Sequence, residues 1–315
     1  MSMAHPSGEQ FTISSSGYEA VITSVGASLR SLTFNDKPMI DSFLIDEIRP
    51  AFHGAPLAPW PNRIADGRYT FRGQTYQVAL TEPEHGNALH GLVCWDEWSF
   101  EQGGADSVRL STVIAPQAGY PHRVKVTTEY LLSGSGLVWT VTAQNLGGSV
   151  APVGLGTHAY LRPNTGAVDD WSLVFPAAQV LDVDPHRLLP RQWHSADSFP
   201  PSAPFGFASG KGLDGMVVDH CFSLIDGQPG VAKLTNIITG EVVTMTWDAT
   251  LCPWVQVCTS DFDGTSHLRT GLAVEPVTCP PNGFNSGEGV AELGPGEDLS
   301  ISLSLSCNYG EICGS

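Results

Sequence analysis

The chain has 315 residues, 42% of them hydrophobic and only 15% charged, with a formal net charge of −17. It is long enough to bury a core without disulfides or metals, and its composition excludes a disordered tail protein. Fifteen Lys and Arg against 32 Asp and Glu argue against a nucleic acid or an anionic membrane surface as partner, because phosphate groups demand clustered cations.

The first eight residues, Met1 to Gly8, show no basic region leading into an apolar run, so no secretory signal is expected. Nor does any stretch approach the roughly 18 apolar residues that span a bilayer. A cytoplasmic protein is expected, with its cysteines at 94, 221, 252, 258, 279, 307 and 313 reduced. A bridge between Cys307 and Cys313 would require an oxidising compartment.

Along the chain, Tyr69-Thr70-Phe71 and Tyr76-Gln77-Val78 flank Arg72-Gly73-Gln74, which predicts a hairpin with the glycine in its turn. Val124, Val126 and Tyr130 alternate with Lys125 and Glu129. Leu137, Trp139, Val141 and Ala143 alternate with Thr140, Thr142 and Gln144. The Pro- and Gly-rich stretch from Ser198 to Gly215 reads as a long surface loop rather than a linker, because strand-like sequence resumes on both sides. Near the end, Leu299, Ile301, Leu303 and Leu305 alternate with serines, which predicts a strand with one buried face. Long helical periods are missing, and 34 Gly and 23 Pro supply turns at short intervals. The expectation is one large, mostly antiparallel all-β domain over residues 1–315. It would carry a cleft and peripheral tails at 1–10 and 307–315.

Several segments hold side chains suited to acid–base chemistry. Arg63 follows Asn62 among rigid prolines, and an arginine held there could grip a substrate oxygen or form a surface ion pair. His90 lies in Asn87-Ala88-Leu89-His90-Gly91, and His158 in Gly156-Thr157-His158-Ala159-Tyr160. Either histidine, taken singly, also reads as a core residue bonded to a carbonyl. Glu275 lies between a small apolar run and Pro276, a pattern that predicts a strand's end facing a cleft or a solvated loop start. Two imidazoles and a carboxylate suffice for proton transfer on a neutral polar substrate. Zinc spacings, a phosphate-binding glycine loop and a nucleophile elbow are all missing, so no metal site or cofactor is expected.

Taken in order, these segments resemble the aldose 1-epimerase (galactose mutarotase) family from about residue 20 to about 306. Asn62-Arg63-Ile64, Leu89-His90-Gly91, Thr157-His158-Ala159-Tyr160, Asp219-His220-Cys221-Phe222, Gln256 and Glu275-Pro276 carry the likeness, with Leu293-Gly294-Pro295-Gly296 completing it. The resemblance implies a β-supersandwich and cofactor-independent interconversion of the α- and β-anomers of a free aldose. It implies Glu275 as the group taking the proton of the C1 hydroxyl and His158 as the group protonating the ring oxygen, on opposite sides of the sugar. His90, Arg63, Asn62, Asp219 and Gln256 would hold hydroxyls, with Tyr160 or Trp60 facing the sugar. Ala159 in place of the family's proline and the context after Glu275 resemble a bacterial subgroup, some members of which are linked to sulfoquinovose. That makes Arg162 a candidate reader of an anionic substituent, the other reading being a loop arginine in solvent. The alternatives are a non-catalytic sugar-binding or sensing protein on the same fold, and a mutarotase for sulfoquinovose or a hexose 6-phosphate.

Overall fold

The structure, a computed structural model, describes residues 5–261 and 266–309. It is built from antiparallel sheets. The larger has nine strands in the order Ser99–Gly103, Ser107–Ile114, Val124–Ser133, Gly136–Asn145, Asp298–Asn308, Val242–Trp247, Gly230–Asn236, Trp171–Val174 and Lys211–Gly212. The alternation read from the sequence is the pairing itself. Leu137, Trp139, Val141 and Ala143 stand directly across from Leu305, Leu303, Ile301 and Leu299. On the other face Thr140 and Thr142 share hydroxyl hydrogen bonds with Ser302 (2.7 Å) and Ser300 (2.9 Å). One face thus feeds the core while the other is a hydroxyl ladder, as a half-buried sheet requires.

The second sheet orders Pro190–Ser195, Ala177–Val183, Asp219–Leu224, Trp254–Cys258, Leu272–Val277, Gly156–Thr157 and Pro56–Leu57, with Ala159–Leu161 also paired to Leu272–Val277. Apolar side chains from both sheets, including Trp139, Leu303, Phe222, Val255 and Val274, form one continuous core cluster. The fold is therefore the all-β supersandwich expected.

The predicted hairpin is present: Arg68–Phe71 pairs with Gln74–Gln77 around Arg72-Gly73. Both turn residues have positive φ (49° and 79°), the conformation a two-residue hairpin loop demands. The stretch from Ser198 to Gly215 is more than a surface loop. Phe205, Phe207 and Leu213 are buried, with Phe205 and Phe207 packed on Phe175 and Phe222. Three apolar anchors among the glycines and prolines pull it inward. The final strand runs to Asn308, and the Tyr309 hydroxyl donates to the Pro38 carbonyl (2.5 Å). Cys94, Cys221, Cys252, Cys258, Cys279 and Cys307 are free, and Cys313 lies outside the described residues. Among the described residues no helix is long and apolar enough to cross a membrane.

Candidate active site

Strand register assembles the site. In the second sheet Glu275 stands opposite Gln256, and Ala273 opposite Cys258. On the other side Gly156 pairs with Val277 and Ala159 with Val274, so the same register sets His158 across from Glu275. Side chains alternate along each strand, so Tyr160, His158, Glu275, Gln256 and Cys258 share one face, at cross-strand spacing. Asp219, paired with Cys258, extends the row. All six line a cavity of about 230 Å³. Glu275 is not at a strand's end: it is the fourth of six buried residues in Leu272–Val277. Pro276 is tolerated there because the ladder skips Thr157 and His158. His158 instead donates its N–H to the Ala55 carbonyl (2.9 Å) and accepts from Gly54 N–H (2.8 Å).

The rim comes from two short strands. Arg63–Ala65 pairs with Asn87–Leu89, and Asn62 and His90 at their ends both take positive φ (54° and 58°). They are locked together: His90 N–H donates to the Asn62 carbonyl (2.9 Å), and Asn62 N–H donates to His90 Nδ1 (3.1 Å). Gly91 follows with φ of 77°, and a Cβ there would stand 2.0 Å from the Ala58 carbonyl oxygen. Gly91→Ala should therefore cost about 3 kcal/mol in denaturant unfolding. A loss under about 1 kcal/mol would show that the rim yields to the methyl group. Arg63 is gripped at both ends of its fork by Glu82 (Nε–Oε2 2.9 Å, Nη2–Oε1 2.8 Å), with Asp219 at 4.0 Å. Burial pulls its pKa down, but Glu82, Asp219 and Glu275 outweigh that and leave it raised. Gln256 Nε2 donates to Asp219 Oδ1 (2.6 Å).

At the floor His158 Nε2 lies 3.4 Å from Glu275 Oε1. The two are neighbours rather than on opposite sides of a sugar. The oxygens they would serve are bonded to the same carbon, so adjacent groups can reach both. Burial, then the nearby His53 and Arg49, lowers the His158 pKa to about 3. Burial and the nearby Asp219 raise Glu275 well above the ordinary carboxyl value, against a weaker pull from Arg63. Burial likewise keeps His90 neutral, with His158 and Arg63 adding to the effect. Its Nδ1 accepts a backbone N–H, so its Nε2 carries the hydrogen, a donor rather than a base. Both shifts favour the neutral pair, with the shared proton on Glu275 rather than on His158.

The sign of the resulting pH dependence is fixed. A depressed histidine is protonated first in the unfolded chain, so His90 and His158 lose stability as pH falls below about 6.5, the ordinary histidine value. Glu275, with its raised pKa, contributes stability below its ordinary 4.5 that is lost as pH rises toward its folded value. Between 4.5 and 6.5 the depressed histidines, with His53, His122 and His220 also lowered by burial, outweigh the single carboxyl, and stability rises with pH. Urea unfolding should show stability rising from pH 4.5 to 6.5, and rising more steeply in Glu275→Gln, which removes the opposing carboxyl. A slope unchanged in that variant would deny Glu275 its raised pKa.

Of the residues expected at the site, Asn62, Arg63, His90, His158, Tyr160, Asp219, Gln256 and Glu275 all line this cavity. Trp60 does not. It is 2% exposed and packs edge-on to Phe284 in the core. Arg162 is also absent from the walls: its guanidinium faces Asp41 (3.4 Å) and the Asn164 carbonyl (3.3 Å). Sequence reasoning missed Phe52, Glu82 and Cys258. Phe52 packs its ring 4.7 Å from that of His90 and holds φ of 58°, with no local pattern to announce it. Glu82 shows itself only as the partner Arg63 needs. Cys258 was legible in principle, two residues beyond Gln256 on the same face.

A buried imidazole–carboxyl pair in the cleft of an all-β supersandwich has the groups that an acid–base isomerase of a small polar substrate needs. The aldose 1-epimerase family model matches residues 9–306, and the chain belongs to that family. It is an isomerase of the mutarotase type. It is 35% identical to the uncharacterised protein YihR of Escherichia coli K12, over 98% of this chain and 95% of that one. It is 30% identical to the galactose mutarotase of Rattus norvegicus, over 84% of this chain and 83% of the relative. In fold it is similar to the GalM/aldose epimerase homologue of C. elegans, with a TM-score of 0.83 at 20% identity, covering 96% and 99% of the two chains.

Proposed function

We propose that this protein interconverts the α- and β-anomers of a free aldose by general acid–base ring opening and closure, without a cofactor. The observation that carries the reading is the His158–Glu275 contact of 3.4 Å at the floor of a cavity that His90, Arg63, Asn62, Asp219 and Gln256 also line, with Phe52, Ala51 and Leu89 as apolar wall. As the closed sugar binds, the resting proton passes from Glu275 to His158. Glu275 then accepts the proton of the C1 hydroxyl while His158 donates to the ring oxygen, and the C1–O5 bond breaks to give the open-chain aldehyde. Rotation about C1–C2 offers the other face of the carbonyl. Glu275 returns its proton to the carbonyl oxygen as the C5 hydroxyl attacks C1 and yields its proton to His158. No proton is gained or lost over the cycle.

His90 Nε2–H, Arg63, Asn62 and the Asp219–Gln256 pair supply donors and acceptors that fix the sugar's orientation, with Tyr160 beside them. Arg63 is the cavity's one arginine and is already committed to Glu82, which argues against a phosphorylated sugar. The presence of both proton-handling groups argues against a purely sensory protein.

Polarimetry on freshly dissolved α-glucose and α-galactose, at low buffer concentration, tests the reading. Faster approach to an unchanged final rotation supports it and ranks the sugars. Failure with both sugars and with a panel of modified aldoses, sulfoquinovose and hexose 6-phosphates included, while glucose or galactose still binds, would make the sugar-binding alternative the better one.

A further inference from the structure

Behind the Tyr160 wall lies a second cluster that the proposed reaction does not use. Asp41, His53 and His267 are all buried, and their donor atoms lie within 4.8 Å of one another. The cluster's outer hydrogen bonds set the direction of its lone pairs. His53 Nδ1 stands 2.7 Å from the Pro50 carbonyl, which can only accept, so that nitrogen carries the hydrogen. His267 Nε2 faces the Glu47 carboxylate at 3.4 Å, again an acceptor. In neutral rings, the inner nitrogens are therefore bare. Yet both point at one carboxylate oxygen, Asp41 Oδ2, from 3.2 Å (His53 Nε2) and 2.8 Å (His267 Nδ1). Lone pairs and an anionic oxygen facing one another in a buried site need positive charge between them.

An imidazolium at His267, between Asp41 and Glu47, would settle that ring alone and leave the bare His53 Nε2 facing Asp41 Oδ2. Two imidazolium rings would lie with centroids 5.0 Å apart, both desolvated. One metal ion supplies the same charge and leaves both rings neutral. The outer bonds are those of a metal site's supporting shell, in which each histidine donates its far N–H to a carbonyl or a carboxylate. Asp41 Oδ1 is taken by Arg162 (3.4 Å), and Oδ2, which also accepts from the Thr270 hydroxyl (2.9 Å), keeps a lone pair for the ion. A tetrahedral zinc ion with bonds of about 2.0 Å sets its ligand atoms about 3.3 Å apart, close to the spacing present.

We propose that Asp41, His53 and His267 bind one divalent transition-metal ion of the zinc type, stapling three loops against the back of the cavity. The staple bears on the site directly. The His53 ring stacks on Tyr160 at 3.7 Å, Asp41 N–H donates to the Tyr160 carbonyl, and the next residues, Gly54 and Ala55, hold the His158 backbone. The proposal does not depend on which sugar the cavity takes.

Zn²⁺ and Co²⁺ titrated into the chelator-stripped full-length protein provide the test. The expected result is one equivalent bound per chain and a cobalt spectrum without a thiolate charge-transfer band. Zinc should also raise the melting temperature. His267→Gln and Asp41→Asn should weaken binding by about a hundredfold or more, and Glu47→Gln by about tenfold. His90→Asn, which removes a member of the competing donor set His90, His158 and Glu275, should leave it intact. No stoichiometric binding, a thiolate band, or loss of the ion in His90→Asn with retention in His267→Gln would each overturn the proposal. Should His267→Gln and Asp41→Asn fail to fold, Glu47→Gln decides: unchanged affinity there sinks the proposal.

Discussion

Glu275→Gln is expected to lower the catalysed rate of anomer exchange by about a thousandfold while leaving the melting temperature at neutral pH unchanged or raised. The two halves follow from one fact. Burial and Asp219 favour the neutral carboxyl, whose shape, hydrogen-bonding end and lack of charge the amide reproduces. What the amide cannot do is exchange a proton. Because sugars mutarotate slowly in water, the residual rate should be indistinguishable from buffer alone, and polarimetry must subtract that background. Sugar affinity, read by calorimetry, should shift by less than tenfold, because the walls that grip the hydroxyls are untouched. A variant that kept a tenth of the wild-type rate would remove Glu275 from proton transfer and leave it a buried spacer.

The resting position of that proton also matters energetically. In the proposed mechanism, Glu275 protonated beside neutral His158 is the arrangement that follows ring opening, when the C1 proton would have arrived on the carboxyl and the histidine would have given its own away. The cavity would then be preset for the open-chain aldehyde. Binding of the closed sugar would have to move the proton onto His158, against the burial that lowers its pKa, and ring opening would release that cost. Interactions that favour the reacting state over the bound ground state are those that accelerate a step.

Much of this arrangement could be read before any coordinates. Leu299 through Leu305 and Leu137 through Ala143 announced their strands by alternation, and they proved to be each other's partners. The three motif histidine and glutamate positions lay where register brings them to one cavity, although no local signal carried that register. His158 and Glu275 are 117 positions apart in sequence (275 − 158), and only the antiparallel pairing through Ala159 and Val274 makes them neighbours. Glu275 was misplaced at a strand's end because Pro276 reads as a terminator. It does not terminate the strand, since the skipped ladder beside His158 asks for no N–H there. Trp60 and Arg162 were candidates by chain proximity to Asn62 and His158, which says nothing about direction. Trp60 lies outside the paired strands and packs on Phe284, and Arg162, just past the strand Ala159–Leu161, turns to Asp41. Phe52 and the Asp41–His53–His267 cluster were invisible, being assembled from loops without periodicity.

His158→Asn carries the other large effect, and its informative form is the double variant. Alone, it should slow anomer exchange by about a thousandfold, because asparagine can hold a hydrogen bond to the ring oxygen but cannot deliver a proton. Were His158 and Glu275 independent catalysts, the double variant His158→Asn/Glu275→Gln would lose the product of the two factors. A dyad that passes one proton between its members predicts otherwise, because removing either partner already stops the exchange and removing the second costs little more. The expected rate of the double variant is within about threefold of the slower single variant. Full multiplicativity would separate the two roles and place another base or a bound water on one of the sugar's oxygens. The pH profile of the wild-type enzyme reports on the same pair. With the histidine depressed to about 3 and the carboxyl raised, the singly protonated dyad persists through neutrality, and kcat/KM should show no inflection at the ordinary histidine value of 6.5. An inflection there that vanished in His158→Asn would mean that the histidine titrates freely and the shared proton is not the working state.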